Sequence, residues 1–213
     1  FADNNLSGEL ILPDSLLYID DNAFYECPMN KVDLPESLIA IGTGAFSGTS
    51  IKEITIPDSI TLISERVFEN CRELKKVNMS KNVMFIGDYA FYGCSSLTSI
   101  NIPEGVTSIG EGAFSGCSSL TNIDIPEGVT SIGKLAFYHC NSLDPKILVY
   151  DKGTKCYGWV GDNKKCTEVV IPEGVTSIGE DAFYFCTNLT SIEMPNGVTS
   201  IGAGAFEVCS SLA

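Results

Sequence analysis

The sequence predicts a solenoid: one elongated domain spanning residues 1–213, in which about nine coils of 22–23 residues stack through a parallel β-sheet. Two observations carry this expectation. The string Leu97 to Cys117, LTSINIPEGVTSIGEGAFSGC, recurs along the chain with its proline at Pro13, Pro35, Pro57, Pro103, Pro126, Pro172 and Pro195. The steps between those prolines are 22, 22, 46, 23, 46 and 23 residues, so Ser80 and Val149 hold two vacant proline positions. A phenylalanine keeps the same phase at Phe24, Phe46, Phe68, Phe91, Phe114, Phe137, Phe183 and Phe206. No unit this short can bury its apolar face alone, so the stack itself must make the core.

Each part of the unit has a local reason. In Leu97-Thr98-Ser99-Ile100-Asn101-Ile102, apolar and polar residues alternate at 100–102, the period of a strand with one buried face. Strands one coil apart run the same way and must pair in parallel. Pro103 follows the strand, where its missing N–H costs least, and Glu104-Gly105 reads as a turn. Val106 to Ile109 forms a second short extended run, closed by Gly110. The spacing of Ala113-Phe114 to Cys117 predicts one tight helical turn that carries the chain back. The phenylalanines should stack as an internal ladder. The residue before them is Ala in seven of eight units, Val67 excepted, which leaves room for the next ring. Gly42, Gly87, Gly110, Gly133, Gly179 and Gly202 mark a recurring turn expected at positive φ.

The string IPEGVTSIGEGAFSGCSSL, with its many copies, resembles the BspA-type, or Treponema-type, leucine-rich repeat, and the likeness covers the chain except about 144–166. The resemblance implies a curved, right-handed leucine-rich-repeat solenoid with its parallel sheet on the concave face and short turns or 3-10 segments on the convex side. It also implies an extracellular or cell-surface protein used in adhesion or host interaction, with a host or matrix protein as partner.

Composition narrows the functions. Thirteen basic residues against 27 acidic ones give a net charge of −14, which disfavours nucleic acid and anionic lipid surfaces. No apolar run approaches the ~18 residues of a membrane span. The chain opens on Phe1-Ala2-Asp3 and stops just after a leucine position, as expected of a segment from a longer protein. Unpaired strand edges at the two ends predict end-to-end self-association.

Chemistry is sparse. Cys27, Cys71, Cys94, Cys117, Cys140, Cys186 and Cys209 share one phase and read as small buried core residues, with no C-x2-C pair to suggest a metal. Cys156 and Cys166 fall off that phase: a bridge between them and two buried thiols are the alternatives. Asp14, Glu36, Asp58, Glu104, Glu127 and Glu173 follow the proline and form a solvated acidic edge, too thin in oxygen ligands for calcium. His139 is the only histidine, and no arrangement of residues suggests catalysis, a metal or a cofactor.

What remains is surface. Strand alternation turns Lys31, Asp33, Glu53, Thr55, Lys76, Asn78, Asn122, Asp124, Glu168 and Glu193 to solvent on the sheet face, the expected protein-binding surface. The second candidate is Tyr150–Cys166, YDKGTKCYGWVGDNKKC, where the repeat breaks and a degenerate coil or insertion spans about 144–166. Counting by 23 places Lys155 at the Ile109 position and Trp159 at the Ala113 position. The stretch gathers Tyr150, Lys152, Lys155, Tyr157, Trp159, Lys164 and Lys165 into a patch of net charge +2. Either its aromatics plug the hole left in the core or they form an interface. A protein-binding module is the function these features favour. A glycan-binding surface or a spacer arm attached to another functional domain is the alternative.

Overall fold

The chain winds as a β-solenoid of about eight turns in a computed structural model that describes residues 8–213. Two columns of short parallel strands run along it. The first takes the leucine-phase strands and pairs Gly8–Leu10 with Met29–Val32, Glu53–Thr55 with Lys76–Asn78, and Glu168–Val170 with Ser191–Glu193. It thins to a single bridge, Ser99 to Asn122, in the middle coils. The second takes the short run before the conserved Ile. It is more continuous, with Leu62–Ile63, Phe85–Ile86, Ser108–Ile109 and Ser131–Ile132 forming one four-stranded sheet. The single sheet expected at the first phase is therefore two columns.

The proline opens the turn between them. Its carbonyl accepts the N–H three residues on, as Val106 to Pro103 at 3.0 Å. Ser80 does the same for Val83, and its hydroxyl accepts the Asn82 N–H at 3.1 Å, a side-chain substitute for the ring.

A third column holds the return segment, made of the short turns expected, and here one expectation, that of the glycines, fails. The segment is a run of tight turns, with a short 3-10 helix at Asn163–Lys165. Alternate N–H groups bond three residues back and across to the next coil: Cys117 donates to Phe114 at 3.1 Å, and Phe114 donates to Ala136 at 2.8 Å. Helix cannot continue because two residues per coil are left-handed, for example Tyr89, Gly112 and Leu135 at one phase and Gly116 and His139 at another. The glycines at 42, 87, 110, 133, 179 and 202 are not at positive φ. A Cβ on Gly133 would lie 2.4 Å from the Glu111 backbone nitrogen, so close approach of adjacent coils explains the glycine there.

Inside, the phenylalanine ladder forms as expected. Successive rings from Phe24 to Phe137, and Phe183 with Phe206, lie 5.3–5.8 Å apart and within 17° of parallel. The cysteine column does more than fill space. Cys71, Cys94, Cys117, Cys140 and Cys209 each donate S–H to the Phe carbonyl of the preceding coil at 3.0–3.2 Å. Burial pushes Cys71 up to about 11 and Cys140 to about 12, so these thiols stay protonated.

The core falls into two clusters that meet at the broken repeat. There Lys146–Tyr150 and Lys155–Val160 form an antiparallel hairpin, and the second strand rejoins the parallel column beside Ser177–Ile178. The register opposes Lys155 to Ser177 and Cys156 to Ile178, one residue from the count by 23. Cys156, rather than Lys155, therefore fills the isoleucine position.

Candidate functional site

The break shows what each aromatic does. Tyr157 enters the phenylalanine stack edge-on to Phe137, 5.4 Å away at 76°, and is buried. Its hydroxyl accepts the Phe137 N–H at 3.0 Å, standing in for the carbonyl a regular next coil would supply. Burial pushes the Tyr157 phenol well above its ordinary value. Trp159 takes a phenylalanine's backbone role, its N–H donating to Ala182 at 2.8 Å, whereas the count had put it at the alanine position. Its ring is half-buried, and its Nε1 donates to the Asp162 carbonyl at 3.3 Å. Between them Gly158 passes so close to Ala182 that a Cβ would stand 1.8 Å from its carbonyl oxygen.

The lysines of this stretch divide. Lys155 donates to the Thr130 carbonyl at 2.8 Å, pairs with Asp151 at 3.1 Å and lies over the half-buried Tyr150 ring. Lys152, Lys164 and Lys165 are exposed. Cys156 and Cys166 are buried free thiols. Cys166 occupies the leucine phase and lies close to Cys186, whose pKa its proximity and burial raise.

The sheet-face residues form a second, separate surface. Lys31 joins Glu9 at 2.6 Å and Asp33 at 3.3 Å. Lys76 meets Glu53 at 2.8 Å, while Asn78 donates to Glu53 and Thr55. Farther along, Asn122 donates to Asp124 at 3.0 Å, and Glu168 and Glu193 stand exposed. The Lys76 ammonium, then the Asn78 amide, lower the Glu53 pKa, and hydrogen bonds to Glu9 and Asp33 raise that of Lys31. The acidic edge from Asp14 to Glu173 is exposed throughout.

A third surface was missed. In the later coils the two residues before the conserved Ile are polar: Thr107-Ser108, Thr130-Ser131, Thr176-Ser177 and Thr199-Ser200. The first four coils carry Leu17-Tyr18, Ile39-Ala40, Thr61-Leu62 and Met84-Phe85 there instead. Leu17, Tyr18, Ile39, Leu62, Met84 and Phe85 are 44–58% exposed, and the register sets Tyr18 beside Ala40 and Leu62 beside Phe85. Exposed carboxylates flank this apolar column on both sides, Asp14, Glu36 and Asp58 before it and Asp20, Asp21, Glu65 and Asp88 after it. The signal lay in the sequence as departures from Thr-Ser at one phase.

The one histidine and its neighbouring thiol do not form a paired nucleophile and base. His139 is exposed beside the Tyr138 ring, and its neighbour Cys140 is a buried protonated thiol bonded to Phe114. Among the described residues, no helix is long and apolar enough to cross a membrane.

Comparison with known proteins agrees with the geometry. The family model of the BspA-type leucine-rich repeat region matches six copies, over residues 1–103 and 162–213. A leucine-rich repeat protein from Bacteroides ovatus superposes with a TM-score of 0.72 at 28% identity, over 95% of this chain and 58% of that one. The leucine-rich repeat protein of T. pallidum gives 0.51 at 26% identity, over 96% of this chain and 78% of its own. The pneumococcal vaccine antigen PcpA shares the fold, with a TM-score of 0.64 at 19% identity over 96% of this chain and 49% of its own. The chain thus spans little more than half of the Bacteroides protein and about half of the pneumococcal one. No functionally curated protein matches it. With the family model matching well over half of its residues, the chain belongs to the BspA-type leucine-rich-repeat family.

Proposed function

We propose that this segment is a non-enzymatic protein-binding module of an extracellular or cell-surface protein, acting in adhesion to a host or matrix protein. The observation that carries the reading is the apolar column of Tyr18, Leu62 and Phe85 with its flanking carboxylates. Solvated positions that are Thr-Ser in the later coils have no packing reason to become Leu, Tyr and Phe in the earlier ones. A partner strip of apolar side chains flanked by Lys or Arg complements this surface in both hydrophobicity and charge. The ion-paired sheet face, from Lys31 to Asn78, belongs to the same coils and would give such a partner a polar rim.

The test restores the consensus. Tyr18→Ser, Leu62→Ser and Phe85→Ser install the residue found at 108, 131, 177 and 200, so the fold should be kept. Surface plasmon resonance against purified fibrinogen, collagen and laminin reads binding, and thermal melting reads stability. The expected result is saturable binding to at least one matrix protein that the triple variant weakens at least tenfold with an unchanged melt. Unaltered binding by the triple variant, or binding to none of the three, overturns the reading.

A further inference from the structure

On the return-turn side the coils carry a trough that the protein-binding reading does not use. It is an open groove of about 680 Å³ centred on the coil Gly112 to Gly116. That coil has almost no side chains to show there, only Gly112, Ser115 and Gly116. The coil before it raises Tyr89 and Tyr92, and the coil after it raises Tyr138 and His139. The Tyr89 ring leans across Gly112, where a Cβ would stand 2.6 Å from it, so the slot opens beside Gly116, one coil wide between Tyr92 and Tyr138.

The walls are held in place. The Tyr89 hydroxyl bonds the Glu111 carboxylate, the Arg66 guanidinium sits 4.9 Å from its ring centre, and Tyr92 packs edge-on at 6.0 Å. Opposite, Tyr138 is braced by His139 at 3.9 Å and Tyr184 at 5.8 Å. The floor is open: the atoms nearest a Cβ built on Gly116 belong to the Gly93 backbone, 3.4 Å away. The second coil repeats the motif as Gly44, Ser47 and Gly48, but there the Glu26 side chain folds over Gly48. The coil before it shows Asn22 and Tyr25 at the wall positions and the coil after it Arg66 and Glu69, so it has an aromatic on one side only and no aromatic slot forms.

Two further observations give the ligand's chemistry. Ser115 is 6% exposed, its hydroxyl has no hydrogen-bond partner among the described residues, and it lines the floor of the trough. No buried side-chain oxygen among the described residues lacks a partner, so this hydroxyl is open to the trough and offers a polar ligand a donor and an acceptor. The lining also contains no carboxylate, in a chain with 27 acidic residues, and its one cation, Arg72, makes no ion pair among the described residues. Width narrows the choice. The walls stand two coil spacings apart, roughly 10 Å. A flat ring gripped on both faces needs roughly 7–8 Å, two van der Waals contacts, whereas a puckered saturated ring with hydrogens on both faces fills the larger gap.

We propose that this trough binds an acidic oligosaccharide. One pyranose ring lodges between Tyr92 and Tyr138, its C–H faces against the rings, with a hydroxyl on Ser115 and a carboxylate on Arg72. A proline-rich peptide also offers saturated rings but would leave the Ser95 and Arg72 donors at the rim with only backbone carbonyls, and it brings no anion. The site is independent of the apolar column, so neither assignment depends on the other.

Saturation-transfer NMR and calorimetry on the chain, with hexamers of galacturonic acid and of hyaluronan as probes, test the assignment against uncharged cellohexaose and a proline hexamer. The expected result is binding of at least one acidic hexamer, weakened at least tenfold by Tyr92→Ala and by Ser115→Val with unchanged thermal melts. Arg72→Gln should reduce the acidic hexamer to the level of cellohexaose. Binding of neither acidic hexamer, binding that survives Tyr92→Ala, or tighter binding of the proline hexamer overturns the proposal. Should Ser115→Val disturb the melt, the exposed Tyr92 and Arg72 variants carry the same decision.

Discussion

Removing one oxygen atom should weaken the seam between the two core clusters. In regular coils the phenylalanine N–H reaches a carbonyl of the next coil, as Phe91 to Ala113 and Phe114 to Ala136, both at 2.8 Å. At the break the hairpin takes that carbonyl away, and Phe137 donates to the Tyr157 hydroxyl instead, at 3.0 Å. Tyr157→Phe keeps the edge-on ring contact but leaves a buried N–H with no acceptor. Losing one partner of a buried hydrogen bond costs about 1–3 kcal/mol, because the remaining group stays desolvated. For a chain of this size each kcal/mol moves the melting temperature by about 2–4 °C, so a fall of roughly 2–12 °C is expected. Coil stability depends on nearest-neighbour interfaces, so the loss should concentrate at this seam. Thermal unfolding followed by circular dichroism measures the total. Hydrogen exchange at the Phe137 amide measures the location, and it should lose protection before Phe91 or Phe114. A melt within about 0.5 kcal/mol of the parent, with Phe137 protection unchanged, would refute the argument.

Other outcomes follow from the same geometry. Gly158→Ala, whose Cβ would stand 1.8 Å from the Ala182 oxygen, should destabilise more than Tyr157→Phe in the same melting assay, since backbone rather than a side chain must move. Cys71 and Cys140, raised to about 11 and about 12, stay neutral at pH 8, so iodoacetamide should leave them unlabelled until the chain unfolds. Labelling of either in the folded protein would contradict the S–H to carbonyl ladder. Glu53 has a lowered pKa, so its pairing with Lys76 supports the fold above the ordinary carboxylate pKa and is lost as pH falls through the lowered value. Glu53→Gln should therefore leave the melt at pH 9 and at pH 6 equally affected, with its effect fading only in acid.

Much of this architecture is legible in the sequence because the repeat prints the core at one phase. Phe at 24, 46, 68, 91, 114 and 137 stack once the coils pair, and the Ala before every one of these rings but Phe68 has one volume to leave free. The glycines show the limit of such reading. A glycine demanded by close backbone approach, as at Gly133, looks the same in sequence as one demanded by positive φ, as at Gly112. The thiol donors were invisible for a related reason: burial alone explains a cysteine, and only the stacked carbonyl gives it a bond. At the break, counting by 23 assumes that every coil advances in parallel. An antiparallel hairpin with a bulge beside Leu148 breaks the count and moves Cys156 into the isoleucine position.

The solenoid, its period, its ladder and its acidic surface are written in the repeat, because these are properties of one unit and of its repetition. The tertiary structure alone decided how Tyr157 completes the ladder. It also set Tyr18 beside Ala40, one coil on, and faced Tyr92 and Tyr138, two coils apart, across Ser115. The physical reason is that a core phase is fixed by what one coil must bury. A surface site is assembled from residues on several coils, and its shape depends on the side chains that the coil between them lacks.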